Sequence, residues 1–171
     1  GYALPGIILA VAYITFIAWF DNTIMNFFDL PSFKKIFIGS IVGLVIAYFI
    51  RFFSLSCNGL KSSYERLNRA VDESAYMAGY SKSKTFFKVH VPYMRSSILF
   101  VGILVSLEII RELPITLILR PFNFETFATT AYVYASQDLL EAAAVPSLFL
   151  VIIASLFILL ISRYILSNNY E

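Results

Sequence analysis

Glu108, Arg111 and Glu112 stand at i, i+3 and i+4 in an otherwise apolar stretch, and Pro114 follows two residues later. On a continuous helix this spacing puts two carboxylates and a guanidinium on one face. Such a face has two functional uses. It can line the route of a cation or chelated cation, with Arg111 tuning the charge. It can also hold a gate or subunit contact shut, with Arg111 neutralising the acids. A third reading is plain anchoring at the headgroups, where charge costs little. Ionisable groups at membrane depth usually face a bundle interior or a wet cavity. Pro114 is able to break the helix just after them, and the freed carbonyls then line a cavity or are re-satisfied by neighbours. We take path or gate lining, by Glu108, Arg111, Glu112 and Pro114, as the expectation.

Other chemistry is sparse. His90 is the only histidine and Cys57 the only cysteine. A metal site needs several ligands, and a disulfide framework or cysteine zinc site needs several thiols. His90 is therefore expected as a half-exposed interfacial residue. No G-x-x-x-x-G-K-[ST] phosphate loop occurs among the seven glycines. An intramembrane enzyme would need a convergent nucleophile–base set or paired acids, and none is evident. The expectation is no catalytic residue, no metal and no cofactor of the chain's own.

The elements that position these residues follow from composition. Of 171 residues 59% are hydrophobic and 14% charged, with a mean hydropathy of +0.78. A soluble globular domain has about 45–50% apolar and about 25% charged residues, so that class is excluded. Disorder is excluded by the scarcity of polar residues, and nucleic-acid binding by a net charge of only +2. The membrane is the solvent that fits. Four runs of spanning length stand out, at about 3–20, 36–55, 96–118 and 142–163, allowing about 20 residues per span. Backbone groups in lipid must be paired internally, so these runs are helices, and unbroken apolar runs exclude alternating barrel strands. The expected fold is all-α and integral to the lipid bilayer: one polytopic bundle of about four transmembrane helices over 1–171. Gly39 and Gly43 form a G-x-x-x-G that permits close helix contact. The chain opens Gly1-Tyr2-Ala3-Leu4, without methionine, and reads as a piece of a longer polypeptide cut just before a span.

Lysine and arginine set the orientation. Eight of the thirteen fall between Arg51 and Arg95; the Asp21–Lys35 link holds two, and the Arg111–Glu141 stretch two against four acids. The block 56–95 is therefore expected in the cytoplasm, and the outer segment 119–141 on the far side. That segment should carry a short interfacial helix from about Glu125 to Ser136, its aromatics meeting either a partner or the membrane surface.

The block 56–95 is too long for a simple connector. It predicts two helices: one capped by Ser62 or Ser63 and ended by Gly79 as a left-handed C′ residue, the next capped by Ser81 or Ser83 and stopped by Pro92. Within it, Glu73-Ser74-Ala75 is followed after three residues by Gly79, and nine residues later comes Val89-His90-Val91-Pro92. This resembles the EAA loop of binding-protein-dependent ATP-binding-cassette importer permeases: Glu-Ala-Ala, three residues, Gly, nine residues, Ile-x-Leu-Pro. Ser74 replaces an alanine, and Val89 and Val91 replace isoleucine and leucine.

The resemblance runs further. Arg111-Glu112-Leu113-Pro114-Ile115-Thr116-Leu117 and Arg120-Pro121-Phe122-Asn123-Phe124-Glu125-Thr126 look like the ferric-iron-type branch. Ile115 replaces alanine, Asn123 glycine and Glu125 aspartate, and Tyr132, Ala135 and Ser136 match a Tyr…Ala-Ser run. The match covers nearly the whole chain and looks like the carboxy-terminal half of a two-lobe permease. It implies a bacterial inner-membrane protein that moves substrate by alternating access while a separate ATPase dimer binds and hydrolyses ATP. The further partners implied are a second permease lobe, read as the missing half of the same polypeptide, and a periplasmic substrate-binding protein. It implies coupling to the ATPase through Glu73, Ala75, Gly79, Phe86, Phe87 and Pro92. For Glu73 the other reading is an internal ion pair with Arg66 or Arg69. Ferric iron is the implied substrate, with thiamine, polyamine or phosphonate as alternatives. A gradient-driven transporter or channel is the rival of another class, and it leaves the Glu73–Gly79–Pro92 spacing unexplained.

Overall fold

Among the described residues helices account for every regular element, as a backbone that must pair its own polar groups requires. The structure, a computed structural model, describes residues 4–28 and 36–168 of the 171. In order these hold α1 (Gly6–Phe27), α2 (Ile41–Tyr64), α3 (Arg69–Met77), α4 (Lys82–Thr85), a π turn (Phe86–His90), α5 (Val91–Tyr93), α6 (Arg95–Ile110), α7 (Pro114–Leu119), α8 (Phe127–Ser136) and α9 (Leu140–Asn168). Three stretches are long and apolar enough to cross a membrane: Gly6–Phe27, Ile41–Tyr64 and Leu140–Arg163. A fourth span is reached only by joining Lys82–Tyr93 to Arg95–Ile110, which meet at 70°. The chain is thus an all-α membrane protein of three to four spans.

Several expected boundaries move, each for a local reason. The first helix does not stop at residue 20 but continues to Phe27. Asp21 is no link residue. It is fully buried, and its carboxylate accepts from the backbone N–H of Phe37, at 3.2 and 3.1 Å, and of Ile38, at 3.0 Å. The start of the expected first span, at residue 3, lies outside the described residues, as do Gly1-Tyr2-Ala3 and residues 29–35 of the expected link, Pro31 included.

The second helix begins five residues late, because Gly39 turns the chain with φ 67° and Ser40 caps Gly43 N–H at 3.1 Å. The Gly39/Gly43 pair is therefore not a helix-contact face. Gly43 instead sits against the Phe37 carbonyl, which a Cβ would meet at 2.2 Å. Helix α2 then runs on through Ser62 and Ser63 to Tyr64, so neither serine caps the loop helix. Asn68 does, accepting from Ala70 N–H at 3.1 Å. The glycine that does admit a neighbouring helix is Gly59, where a Cβ would lie 2.6 Å from Val101 of α6.

The expected third span divides. Helix α6 has 16 residues, about 24 Å of rise against a hydrocarbon core of about 30 Å. It breaks at residues 111–113, and α7 resumes at Pro114, where a missing N–H costs nothing. Helix α7 wedges between α1 and α2, and the core forms there from Leu9, Ala10, Tyr13 and Ile17 with Leu44, Ala47, Ile115 and Leu119. The Tyr13 hydroxyl donates to the Gly43 carbonyl at 2.7 Å. In the 119–141 segment Thr126 and Thr129 form a capping box for α8. A left-handed Asp138, φ 59°, then turns the chain into α9, on which α8 packs, with Phe127 and Phe149 stacked at 5.5 Å. Most of the apolar surface of α9 faces outward, as a lipid-facing span requires.

Replacing Asp21 by alanine strands the Phe37 and Ile38 amides. We expect a loss of about 1–3 kcal/mol for each, read as a lower midpoint of thermal unfolding in detergent. An unchanged midpoint would show that these amides find other acceptors.

Candidate functional site

Two places gather the residues singled out by the sequence: the break between α6 and α7, and the elbow formed by α3 to α5. At the break, the helix ends at Ile110, so the spacing of Glu108, Arg111 and Glu112 no longer defines one face. Glu108 and Arg111 pair with each other, Arg111 Nε lying 3.3 Å from Glu108 Oε2. They line a cleft of about 340 Å³ between α6 and α9 with Leu150, Ala154 and Ile158. Glu112 turns the other way. It is 8% exposed, and its Oε2 accepts from Arg51 Nε at 3.2 Å. The expectation that Arg111 neutralises both acids is corrected: Arg51, from the middle of α2, is the partner of Glu112.

The surroundings of this pair are built closely around it. Arg51 Nη1 also donates to the Leu4 carbonyl at 2.9 Å, at the entrance to α1. A Cβ on Gly6 would stand 3.0 Å from Glu112 Oε1 and 3.2 Å from Pro114 Cβ, so any side chain there crowds the pair. The freed Glu112 carbonyl accepts from Thr116 Oγ1 at 2.7 Å, and Thr116 bonds in turn to the Tyr48 hydroxyl. Glu112 Oε1 is buried with no hydrogen-bond partner among the described residues. Thr116 thus re-satisfies the Glu112 carbonyl within the protein, as membrane helices demand. Arg51 carried no chemical assignment in the sequence, and only its position within an apolar run pointed to it.

The elbow is made by a turn and a bend. Helix α3 ends at Met77 with Ala78 as its C-cap, Gly79 takes φ 78°, Gly79 N–H bonds to Tyr76 O at 2.9 Å and Tyr80 N–H to Ala75 O at 3.0 Å. This is a Schellman closure. The helical path then runs from Lys82 through the π turn to Tyr93. Pro92 does not stop it: Pro92 sits in the first turn of α5, and the path bends by 70° only at Met94. Ala75 is buried, whereas Glu73, Phe86, Phe87 and Pro92 are exposed, as is Met77 beside them. Glu73 makes no ion pair among the described side chains; that of Arg69 lies outside them. His90, expected half-exposed, is 6% exposed and bonds through Nε2 to Asp72 Oδ1 at 2.6 Å.

In the 119–141 segment Arg120 pairs with Glu125, and Asn123 adopts φ 61°. That region suits glycine and, after it, asparagine. It explains how asparagine stands where the resembling pattern has glycine. Phe122, at the tip of this turn, is 96% exposed. Among the described residues no three His, Cys, Asp or Glu side chains come together as a metal site.

These features define a polytopic all-helical membrane protein with a broken span and a folded polar elbow. The chain is similar to the Fe(3+)-transport system permease protein FbpB 2 of Haemophilus influenzae, at 22% identity over 163 residues. The likeness covers 95% of this chain and 30% of that protein, so the chain spans under a third of its relative's length. No family model and no solved structure matches the chain. A likeness along nearly the whole chain supports the resemblance to ATP-binding-cassette permeases drawn from the loop spacing.

Replacing Arg51 alone by leucine leaves Glu112 buried and unpaired, at an expected cost of about 3–5 kcal/mol. Replacing both Arg51 and Glu112 by leucine should recover most of that loss. Thermal unfolding of the three proteins in detergent compares them, and equal losses in single and double variants would show that the pair is not the source.

Proposed function

We propose that this chain forms the carboxy-terminal half of the membrane permease of an ATP-driven importer, and that its substrate is ferric iron handed over by a periplasmic binding protein. The observation that carries the reading is the elbow. Two helices joined at a left-handed Gly79 present Glu73, Met77 and Phe87 outward, in the register of the EAA spacing. An exposed apolar tip on a polar loop wants a partner surface, and two short rods meeting at a set angle transmit rigid-body motion. The partner on this reading is an ATPase dimer on the cytoplasmic side of the bacterial inner membrane. The similarity to an Fe(3+)-transport permease supports the substrate class.

The broken span supplies the gate. Closure of the ATPase dimer on ATP draws the elbows together and turns the spans outward; hydrolysis resets them. The Arg51–Glu112 pair, with Glu108 and Arg111 on the other side of α6, lies where α6 gives way to α7, and Pro114 sets that break. An alternating site of this kind works by differential binding of its partners to two states.

Two measurements test this. In a Cys57→Ser background, needed because Cys57 is exposed, Phe87→Cys should crosslink to the ATPase subunit, while Thr85→Cys, at a fully buried position, should not. No crosslink at Phe87 would sink the assignment of the partner. Gly79→Val should abolish stimulated ATP hydrolysis by the assembled complex without preventing membrane insertion, because a β-branched residue does not adopt φ 78° without strain. Normal stimulation would remove the elbow from the mechanism.

A further inference from the structure

One imidazole joins three elements of the loop. His90 closes the π turn, Asp72 lies in the first turn of α3, and Tyr64 is the last residue of α2. His90 Nε2 donates to Asp72 Oδ1 at 2.6 Å, the distance of a charge-assisted hydrogen bond. The edge of Tyr64 meets the imidazole at 5.3 Å and 73°, and Phe86 meets it at 6.1 Å and 79°. The His90 carbonyl accepts Met94 N–H at 2.9 Å, where the path bends toward α6.

A π turn is rare and is frequently found at functional sites. Here it brings a polar ring into an apolar pocket, which costs free energy unless the ring is paired. The Gly79 turn, with the softness of a glycine link, does not by itself fix how α3 lies against α4. The Asp72 bond does, and the Tyr64 contact ties both helices to the end of α2.

We propose that His90 is a positioning residue for coupling: by clasping Asp72 against Tyr64 it makes the elbow and the end of α2 one rigid unit, so that motion imposed on the elbow reaches the spans. The inference rests on the reading of the elbow as the contact with an ATPase. Cutting the clasp leaves the docking tip at Phe87 in place and loosens what lies behind it.

The test uses the full-length permease assembled with its ATPase in membrane vesicles, in the Cys57→Ser background, and needs no knowledge of the substrate. A cysteine replacing Phe100, in the cleft of about 470 Å³ between α2 and α6, reports span movement through its maleimide labelling rate with and without vanadate trapping of the ATPase. With the clasp intact, trapping should change that rate about tenfold, about 1.4 kcal/mol. In His90→Leu and in Asp72→Ala the change should vanish, while Phe87→Cys still crosslinks to the ATPase. The double variant should be no worse than either single one, as a shared contact requires. His90→Gln, which keeps a donor near Nε2, should restore the response. An undiminished response in Asp72→Ala, or no rescue by His90→Gln, overturns the clasp. Should His90→Leu fail to accumulate, Asp72→Ala decides alone, since Asp72 is 38% exposed and tolerates truncation. If trapping changes nothing and Phe87→Cys does not crosslink even with His90 and Asp72 intact, the coupling reading fails, and this inference with it.

Discussion

The Arg51–Glu112 ion pair is the contact on which the bundle's arrangement depends. Neither charge is tolerable alone inside an apolar bundle, where an unpaired ion costs several kcal/mol even after relaxation. Their meeting therefore fixes where three pieces of chain must lie. Arg51 brings the middle of α2, and through Leu4 O the entrance of α1. Glu112 brings the point at which the third span gives way. The break is what frees Glu112 to turn toward α2, and Pro114 restarts the helix so that α7 fills the wedge between α1 and α2. Gly6 completes the arrangement by having no side chain where Glu112 Oε1 needs room.

The same logic recurs at the other ends of the molecule. Asp21 holds the amides of Phe37 and Ile38 before α2 starts, and His90 holds Asp72 below it. Each contact links segments sixteen to eighteen residues apart. The apolar surface has no such preference. Most of it, on α9 above all, faces outward, and association between helices in lipid gains nothing from burying it. In such a solvent the sparse polar contacts and close small-residue approaches, such as Gly59 on Val101, decide which helix faces which.

That division explains what was legible in the sequence. The composition and the long uncharged runs announced an all-helical membrane protein, because span length is a local property. The Gly79 turn and the α8 boundaries were legible for the same reason: both are written in consecutive residues. Helix ends set by a side chain far away were not. Asp21 looked like the start of a polar link because its partners lie sixteen residues on. Glu112 was grouped with Glu108 and Arg111 because their spacing presumes an unbroken helix; its partner is sixty-one residues away. Ser62 and Ser63 suggested a cap, yet α2 continues past both to Tyr64 and Asn68 caps α3 instead. His90 was discounted for want of fellow ligands, but a buried histidine also serves as a structural donor, and no sequence pattern separates the two.

Magnitudes then relate the site to the proposed cycle. Moving a two-state protein from mostly inward to mostly outward, from 1:99 to 99:1, takes about 5.5 kcal/mol of differential binding. Leaving one partner of a buried ion pair uncompensated costs about 3–5 kcal/mol, the same order. A bundle locked by many such pairs would be beyond the reach of one nucleotide-driven closure; a bundle locked by none would leak. A single buried pair at a point where the helix is already interrupted, with one carboxylate oxygen still unpartnered, lies between these limits. At the break the Glu112 carbonyl accepts from the Thr116 hydroxyl, which is bonded in turn to Tyr48, in place of a continuing α-helical ladder. The elbow is continuous with α6 through Met94. On the proposed reading, a push at its tip would travel along α6 to the break, where Arg51 holds Glu112.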